Sequence, residues 1–248
     1  MARYFRMLVM RALGLILVAL VVLSACTPKD EIPPINPTST SSTVTSDSIS
    51  YLALGDSYTY GEAEPQVESF PYQLVNTLRS YKYNAEYPTE IATTGWTTDQ
   101  LISAIASSNI NTKTYDIVTL LIGVNDEYQG LSEANYQVKF AQVLNTAIGF
   151  AKGDTSRVFV LSIPDWGVTP FASGQDSVIG PKIDQFNAIN KAISLKANVH
   201  YLDITAISRE AATNPALVAP DNLHPSGEMY ALWVNRLEPM VVARINQK

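Results

Sequence analysis

Among 248 residues there is a single cysteine, Cys26, and only two histidines, His200 and His224. One cysteine cannot form an internal disulfide, so the fold must rest on core burial, which a 46% hydrophobic composition permits. Two histidines and one cysteine exclude zinc fingers and argue against a His-rich metal centre. A carboxylate-only site for a hard cation has no motif behind it. Basic residues are also in deficit, with 17 Lys and Arg against 23 Asp and Glu, a net charge of −6. Nucleic acid needs a basic face, which argues against it as the main partner. Also missing are a Gly-x-Ser-x-Gly nucleophile elbow, a phosphate-binding P-loop, a dinucleotide glycine fingerprint and a His-Glu-x-x-His zinc site. No internal repeat occurs.

The chain opens with Arg3, Arg6 and Arg11 ahead of an apolar run from Ala12 to Leu23. A comfortable membrane span needs about 20 apolar residues, so residues 1–25 read as an export signal. The run ends in Leu23-Ser24-Ala25-Cys26, which resembles a bacterial lipoprotein box. That resemblance implies cleavage before Cys26 and a diacylglycerol on its thiol, placing an exported protein in the cell envelope, at the outer membrane. The alternatives are an ordinary signal peptide cleaved nearby or an N-terminal anchor helix. Removing residues 1–25 takes away three arginines and no acid, moving the net charge from −6 to −9. Anionic headgroups repel such a surface, so attachment to a bilayer would come from the Cys26 lipid.

Residues 26–48 form a tether. The stretch after Cys26 holds Pro28, Pro33, Pro34 and Pro37, is rich in Ser and Thr, and lacks aromatics, so it cannot bury a core. Fully extended, it reaches roughly 70 Å. Its Lys29-Asp30-Glu31 is either a signal for display on the cell surface, which it resembles, or ordinary linker charge.

From residue 49 to residue 248 short apolar runs alternate with stretches of helical period. The runs are Tyr51 to Leu54, Ile91-Ala92, Ile117 to Ile122, Val158 to Ile163 and Val199 to Ile204. They are mostly unbroken, as parallel strands covered on both faces should be. Helical spacing appears at Phe70, Leu74 and Leu78, at Leu101, Ile102 and Ile105, and at Val138, Ala141, Leu144 and Ile148. It recurs at Ile183, Phe186, Ile189 and Ile193, and at Met229, Leu232, Trp233 and Leu237, the last expected to kink or end near Pro239. Strand alternating with helix predicts a three-layer α/β/α sandwich around a parallel sheet of about five strands. In such sheets ligands bind beyond the carboxyl ends of the strands.

Four motifs lie there or near the end of the chain: Gly55-Asp56-Ser57-Tyr58, Thr94-Gly95-Trp96, Gly123-Val124-Asn125-Asp126, and Asp221-Asn222-Leu223-His224-Pro225. Together they resemble the SGNH, or GDSL-type, hydrolase family, whose four named residues would be Ser57, Gly95, Asn125 and His224, in order over about residues 49–240. The resemblance implies a flavodoxin-like fold and a serine esterase that needs no metal and no cofactor. It implies an acyl-ester substrate, and it assigns the oxyanion hole to the backbone N–H groups of Ser57 and Gly95 and the side-chain amide of Asn125.

The chemistry also follows from the residues. A serine hydroxyl becomes a good nucleophile only when a nearby base takes its proton. His224 is the better of two candidates, because His200 sits inside a predicted strand. Asp221, three residues before His224, can fix the imidazole tautomer and stabilise the imidazolium. Each residue has a plainer role to set beside this one: Ser57 as a turn cap, Gly95 and Asn125 as turn residues, Asp221 as a helix-start carboxylate. Asp56 and Asp126 read as scaffolding for the loops. The aromatics Tyr58, Tyr60, Trp96, Tyr128 and Trp166 crowd these loops, either to stack on sugars and hold acyl groups or simply to pack loops onto the sheet.

Short-chain or carbohydrate O-acetyl esters are the expected substrates, an acetylated glycan among them, cleaved by a monomer. A lysophospholipase or acyl-thioesterase would use the same residues, and an O-acyltransferase would pass the acyl group to a sugar. A non-catalytic glycan-binding lipoprotein would have lost a catalytic residue, and none is missing.

Overall fold

Five short segments pair in parallel to form one sheet: β1 (Tyr51–Gly55), β2 (Thr89–Ala92), β3 (Ile117–Leu121), β4 (Val158–Leu161) and β5 (His200–Leu202). The computed structural model describes residues 48–247. The export signal, Cys26 and the tether up to residue 47 lie outside the described residues. Strand order is β2-β1-β3-β4-β5. Every residue of β1, β3 and β4 is buried, while the edge strands β2 and β5 are half-buried. This is why their sequences carry unbroken apolar runs instead of alternation.

Among the described residues, eight α-helices connect and cover the sheet: α1 (Ser57–Tyr60), α2 (Phe70–Ser80), α3 (Thr98–Ser107), α4 (Val124–Tyr128), α5 (Glu133–Phe150), α6 (Asp176–Lys196), α7 (Thr205–Arg209) and α8 (Gly227–Ile245). α2 packs against α8, where Phe70 meets Tyr230 and Trp233, and α5 packs against both α3 and α6. The three-layer sandwich read from the sequence is the architecture observed.

Three local expectations change. The stripe on α5 was expected at Val138, Ala141, Leu144 and Ile148, but Val138 is exposed, and Tyr136, Phe140, Val143, Leu144, Ala147 and Phe150 face the core. On α6 the buried face holds Asn187, Asn190 and Ser194 beside Ile179, Ile183 and Phe186, while Ile189 and Ile193 are only half-buried. α8 does not end at Pro239: it continues to Ile245, with Leu237 and Val241 both buried against the core on either side of the proline.

Candidate active site

Register brings the motifs together. Gly55 at the end of β1 pairs with Ala92 of β2 on one side and Leu121 of β3 on the other. The loops leaving these strands therefore carry Ser57, Gly95 and Asn125 to one edge of the sheet. β2 and β3 lie on opposite sides of β1, so this edge is the switch point where α/β sheets open a crevice.

Ser57 begins α1. The cap is its neighbour Asp56, whose Oδ1 accepts from the Tyr58 N–H at 3.0 Å, so Ser57 is free of that task. His224 Nε2 stands 2.9 Å from Ser57 Oγ, and His224 Nδ1 stands 2.5 Å from Asp221 Oδ2. Asp221 Oδ1 accepts from the N–H groups of Leu223 and His224, both at 3.0 Å, a local turn that fixes the carboxylate beneath the ring. Ser226, not Asp221, caps α8. Burial pushes the Asp221 carboxyl up, but bonds from the His224 ring and the two N–H groups outweigh it and hold the pKa below the ordinary value. An ionised carboxylate only accepts hydrogen bonds, so Nδ1 carries the proton and Nε2 faces the serine hydroxyl as an acceptor. The Tyr58 ring packs beside the imidazole, with centroids 5.5 Å apart.

Gly95 adopts φ +84°, in the left-handed region, with open space where a Cβ would stand. The glycine is thus explained by its backbone conformation; no protein atom crowds it. Asn125 Nδ2 donates to the Trp96 carbonyl at 3.0 Å, which uses one of its two amide hydrogens. Gly123, which precedes α4, has φ +129°, and a Cβ there would come within 2.7 Å of the Tyr136 ring. Asp126, the residue after Asn125, accepts at Oδ2 from the Thr98 N–H and hydroxyl. Three bonds made by two adjacent residues, Asn125 and Asp126, therefore hold the β2 loop against the β3 loop. Asp56 lies fully buried nearby, where burial, with a contribution from the Asp126 charge, pushes its carboxyl up to about 8.

These groups border a cleft of about 160 Å³. Its walls are Tyr58, Val124, Tyr128, Trp166, Phe171 and Leu223. Trp166 is held by Glu127, a buried carboxylate that accepts from its Nε1 at 2.9 Å, and meets Tyr128 edge-on at 5.3 Å. The loop beneath is clamped by Asn187, which bonds both the N–H and the carbonyl of Ile163, and by Arg209 on Asp165. The Phe171 N–H donates to the Asn222 carbonyl, linking this wall to the histidine loop.

Trp96 is placed differently from the other aromatics of these loops. It does not line the cleft; its ring packs on the core and only its carbonyl serves the site, through Asn125. His200 lies on β5 with its ring stacked on Phe159 at 4.8 Å, far along the sheet from Ser57. Phe171, Leu223, Val124 and Thr94 line the cleft without having stood out in the sequence. Three of them lie within the quoted motifs, which was the available signal, whereas Phe171 sits in a loop that carries none.

The model of the GDSL-like lipase/acylhydrolase family matches residues 53–232, which contain all four motifs. The chain belongs to that family. It is an esterase of the SGNH/GDSL type. No curated protein matches the sequence. Among solved structures, the psychrotrophic esterase EstA from Pseudoalteromonas sp. is 15% identical over 79% of this chain and 98% of its own, with a TM-score of 0.62. The acetylxylan esterase Axe2 from Geobacillus stearothermophilus is 17% identical over 78% of this chain and 94% of its own, also at 0.62. At these identities the likeness is one of fold.

Proposed function

We propose that this SGNH esterase cleaves short-chain carboxylic esters with Ser57 as nucleophile, His224 as base and Asp221 as the group that orients it. The observation that carries the reading is the unbroken line from Ser57 Oγ to His224 Nε2 at 2.9 Å and from His224 Nδ1 to Asp221 Oδ2 at 2.5 Å. As Ser57 Oγ bonds to the ester carbonyl carbon, its proton passes to Nε2. The imidazolium is stabilised by Asp221 and then gives that proton to the leaving alcohol. Water, deprotonated by His224, releases the acid and restores the serine. Proton transfer of this kind contributes about 10²- to 10⁴-fold in rate. The N–H groups of Ser57 and Gly95 and the Asn125 amide receive the oxyanion, each such donor being worth about 100- to 1000-fold.

Cleft size supports a short acyl group. A cavity of roughly 150 Å³ holds one benzene molecule, so about 160 Å³ suits an acyl group of a few carbons. That favours acetyl-type esters over lysophospholipids and long-chain thioesters. The named activity of the acetylxylan esterase neighbour supports an acetylated glycan as one source. The envelope location and the Cys26 lipid anchor belong to the same proposal and rest on Leu23-Ser24-Ala25-Cys26.

The test is a rate profile over p-nitrophenyl esters of increasing acyl length. Specificity constants should peak at acetyl to butyryl and fall beyond. A rise toward long chains overturns the short-chain reading in favour of a lipase-like enzyme.

A further inference from the structure

The cleft does not end at the oxyanion loop. Thr94 borders it and also borders a second depression of about 300 Å³, whose other lining residues are Tyr60, Glu62 and Thr93. The two sides differ in chemistry. Apolar and aromatic side chains wall the first, whereas a phenol, a carboxylate and two hydroxyls line the second.

The second depression is built rigidly onto the reaction centre. α1 ends at Gly61, and the Glu62 N–H donates to the Ser57 carbonyl at 3.1 Å, so the backbone of Glu62 is tied to the nucleophile itself. Its carboxylate accepts from the Thr94 hydroxyl, next to Gly95. The following Ala63 has φ +66°, a conformation that residues with a Cβ hold only where the surroundings impose it. Tyr60 is 47% exposed beside it.

Resting on the reading of Ser57 as nucleophile, we propose that this depression binds the alcohol part of the ester and selects an uncharged, polyhydroxylated one, such as a sugar ring. The ester oxygen stays at His224 Nε2 while the rest of the alcohol lies across Thr94. A carboxylate is an acceptor only, suited to sugar hydroxyls, and a tyrosine face suits the C–H face of the ring. A volume about twice that needed for benzene accommodates a pyranose. The Glu62 charge, on a chain of net charge −6, repels an anionic alcohol such as a phospholipid headgroup. A quaternary ammonium could also meet Tyr60 and Glu62, but the site offers one aromatic ring where such cations are held by several, and two threonine hydroxyls that such a cation cannot use.

The experiment compares wild type, Glu62→Gln and Tyr60→Ala on three acetyl esters: an acetylated xylo-oligosaccharide, p-nitrophenyl acetate and acetylcholine. The readout is the ratio of kcat/KM for the oligosaccharide to that for p-nitrophenyl acetate, which cancels any loss of folded enzyme. That ratio should fall about tenfold in each variant, the loss expected for one charge-assisted hydrogen bond or one stacking face, and should fall through KM. An unchanged ratio overturns the proposal, as does a selective loss on acetylcholine. If wild type cleaves p-nitrophenyl acetate but not the oligosaccharide, the subsite assignment fails while the esterase reading stands. If Ser57→Ala still cleaves p-nitrophenyl acetate, the underlying reading fails first.

Discussion

Thr98 gives both its backbone N–H and its hydroxyl to Asp126 Oδ2, at 2.8 and 2.9 Å. With the Asn125 bond to the Trp96 carbonyl, this pins the loop bearing Gly95 to the loop bearing Asn125. The relative position of Gly95 and Asn125, the proposed oxyanion donors, thus depends on a buried carboxylate outside the cleft. Asp126→Ala strands the Thr98 donors and should cost about 1–3 kcal/mol of stability. It should also lower kcat by up to about 100-fold with KM nearly constant, because the donors drift from where charge develops. Asp126→Asn, which can still accept, should recover most of the loss. Steady-state kinetics with urea denaturation checks this, and a kcat equal to wild type in Asp126→Ala would show that the link has no positioning role.

The pH dependence of stability should carry the signature of Asp56. Burial raises its carboxyl from 3.8 to about 8 in the folded chain. Between those values the folded state keeps a proton that the unfolded state has lost. The folded state thus binds more protons, and stability contributed by this group declines as pH rises from about 4 to about 8, by about 1 kcal/mol per unit. Asp56→Asn keeps the cap on the Tyr58 N–H and removes the titration. Its stability relative to wild type should therefore improve more at about pH 7 than at about pH 5. An equal or smaller gain at the higher pH contradicts the assignment.

How much of this was legible in the sequence depends on whether the cause was local. β1, β3 and β4 announced themselves as unbroken apolar runs because both faces of each are covered. Ser57, Gly95, Asn125 and His224 were readable because each sits within two or three residues of a strand end or a helix start. The buried face of α5 was not, since its apolar residues recur at helical spacing on more than one side and only contact with the sheet selects Tyr136 and Phe140 over Val138. That Phe171, and not Trp96, borders the cleft has a similar cause. Which ring faces the cleft is set by how distant loops meet, as in the bond from the Phe171 N–H to the Asn222 carbonyl, and no local pattern encodes that.

Trp166 should set the acyl-length limit, with Glu127 holding it in place. Trp166→Ala enlarges the cleft and should move the preferred p-nitrophenyl ester to longer chains. Glu127→Gln retains an acceptor for the indole N–H and should keep the wild-type profile, whereas Glu127→Leu should broaden it. A profile identical in all four proteins would remove Trp166 from the specificity wall.

The proposed lipid anchor on Cys26 should be separable from catalysis. Cys26→Ser should move the protein from the membrane fraction to the soluble fraction and abolish incorporation of radiolabelled palmitate, with esterase activity per molecule retained. Persistence of Cys26→Ser in the membrane fraction would point to an uncleaved N-terminal helix instead.

The most direct test of the central claim is the rate of p-nitrophenyl acetate hydrolysis by Ser57→Ala, measured beside His224→Ala and the double variant with folding checked by circular dichroism. Groups that act as one unit fail together, so each single variant should lose at least about 10⁴-fold in kcat and the double variant should lose no more. Asp221→Ala should be impaired less than either. Wild-type turnover by folded Ser57→Ala would contradict the account.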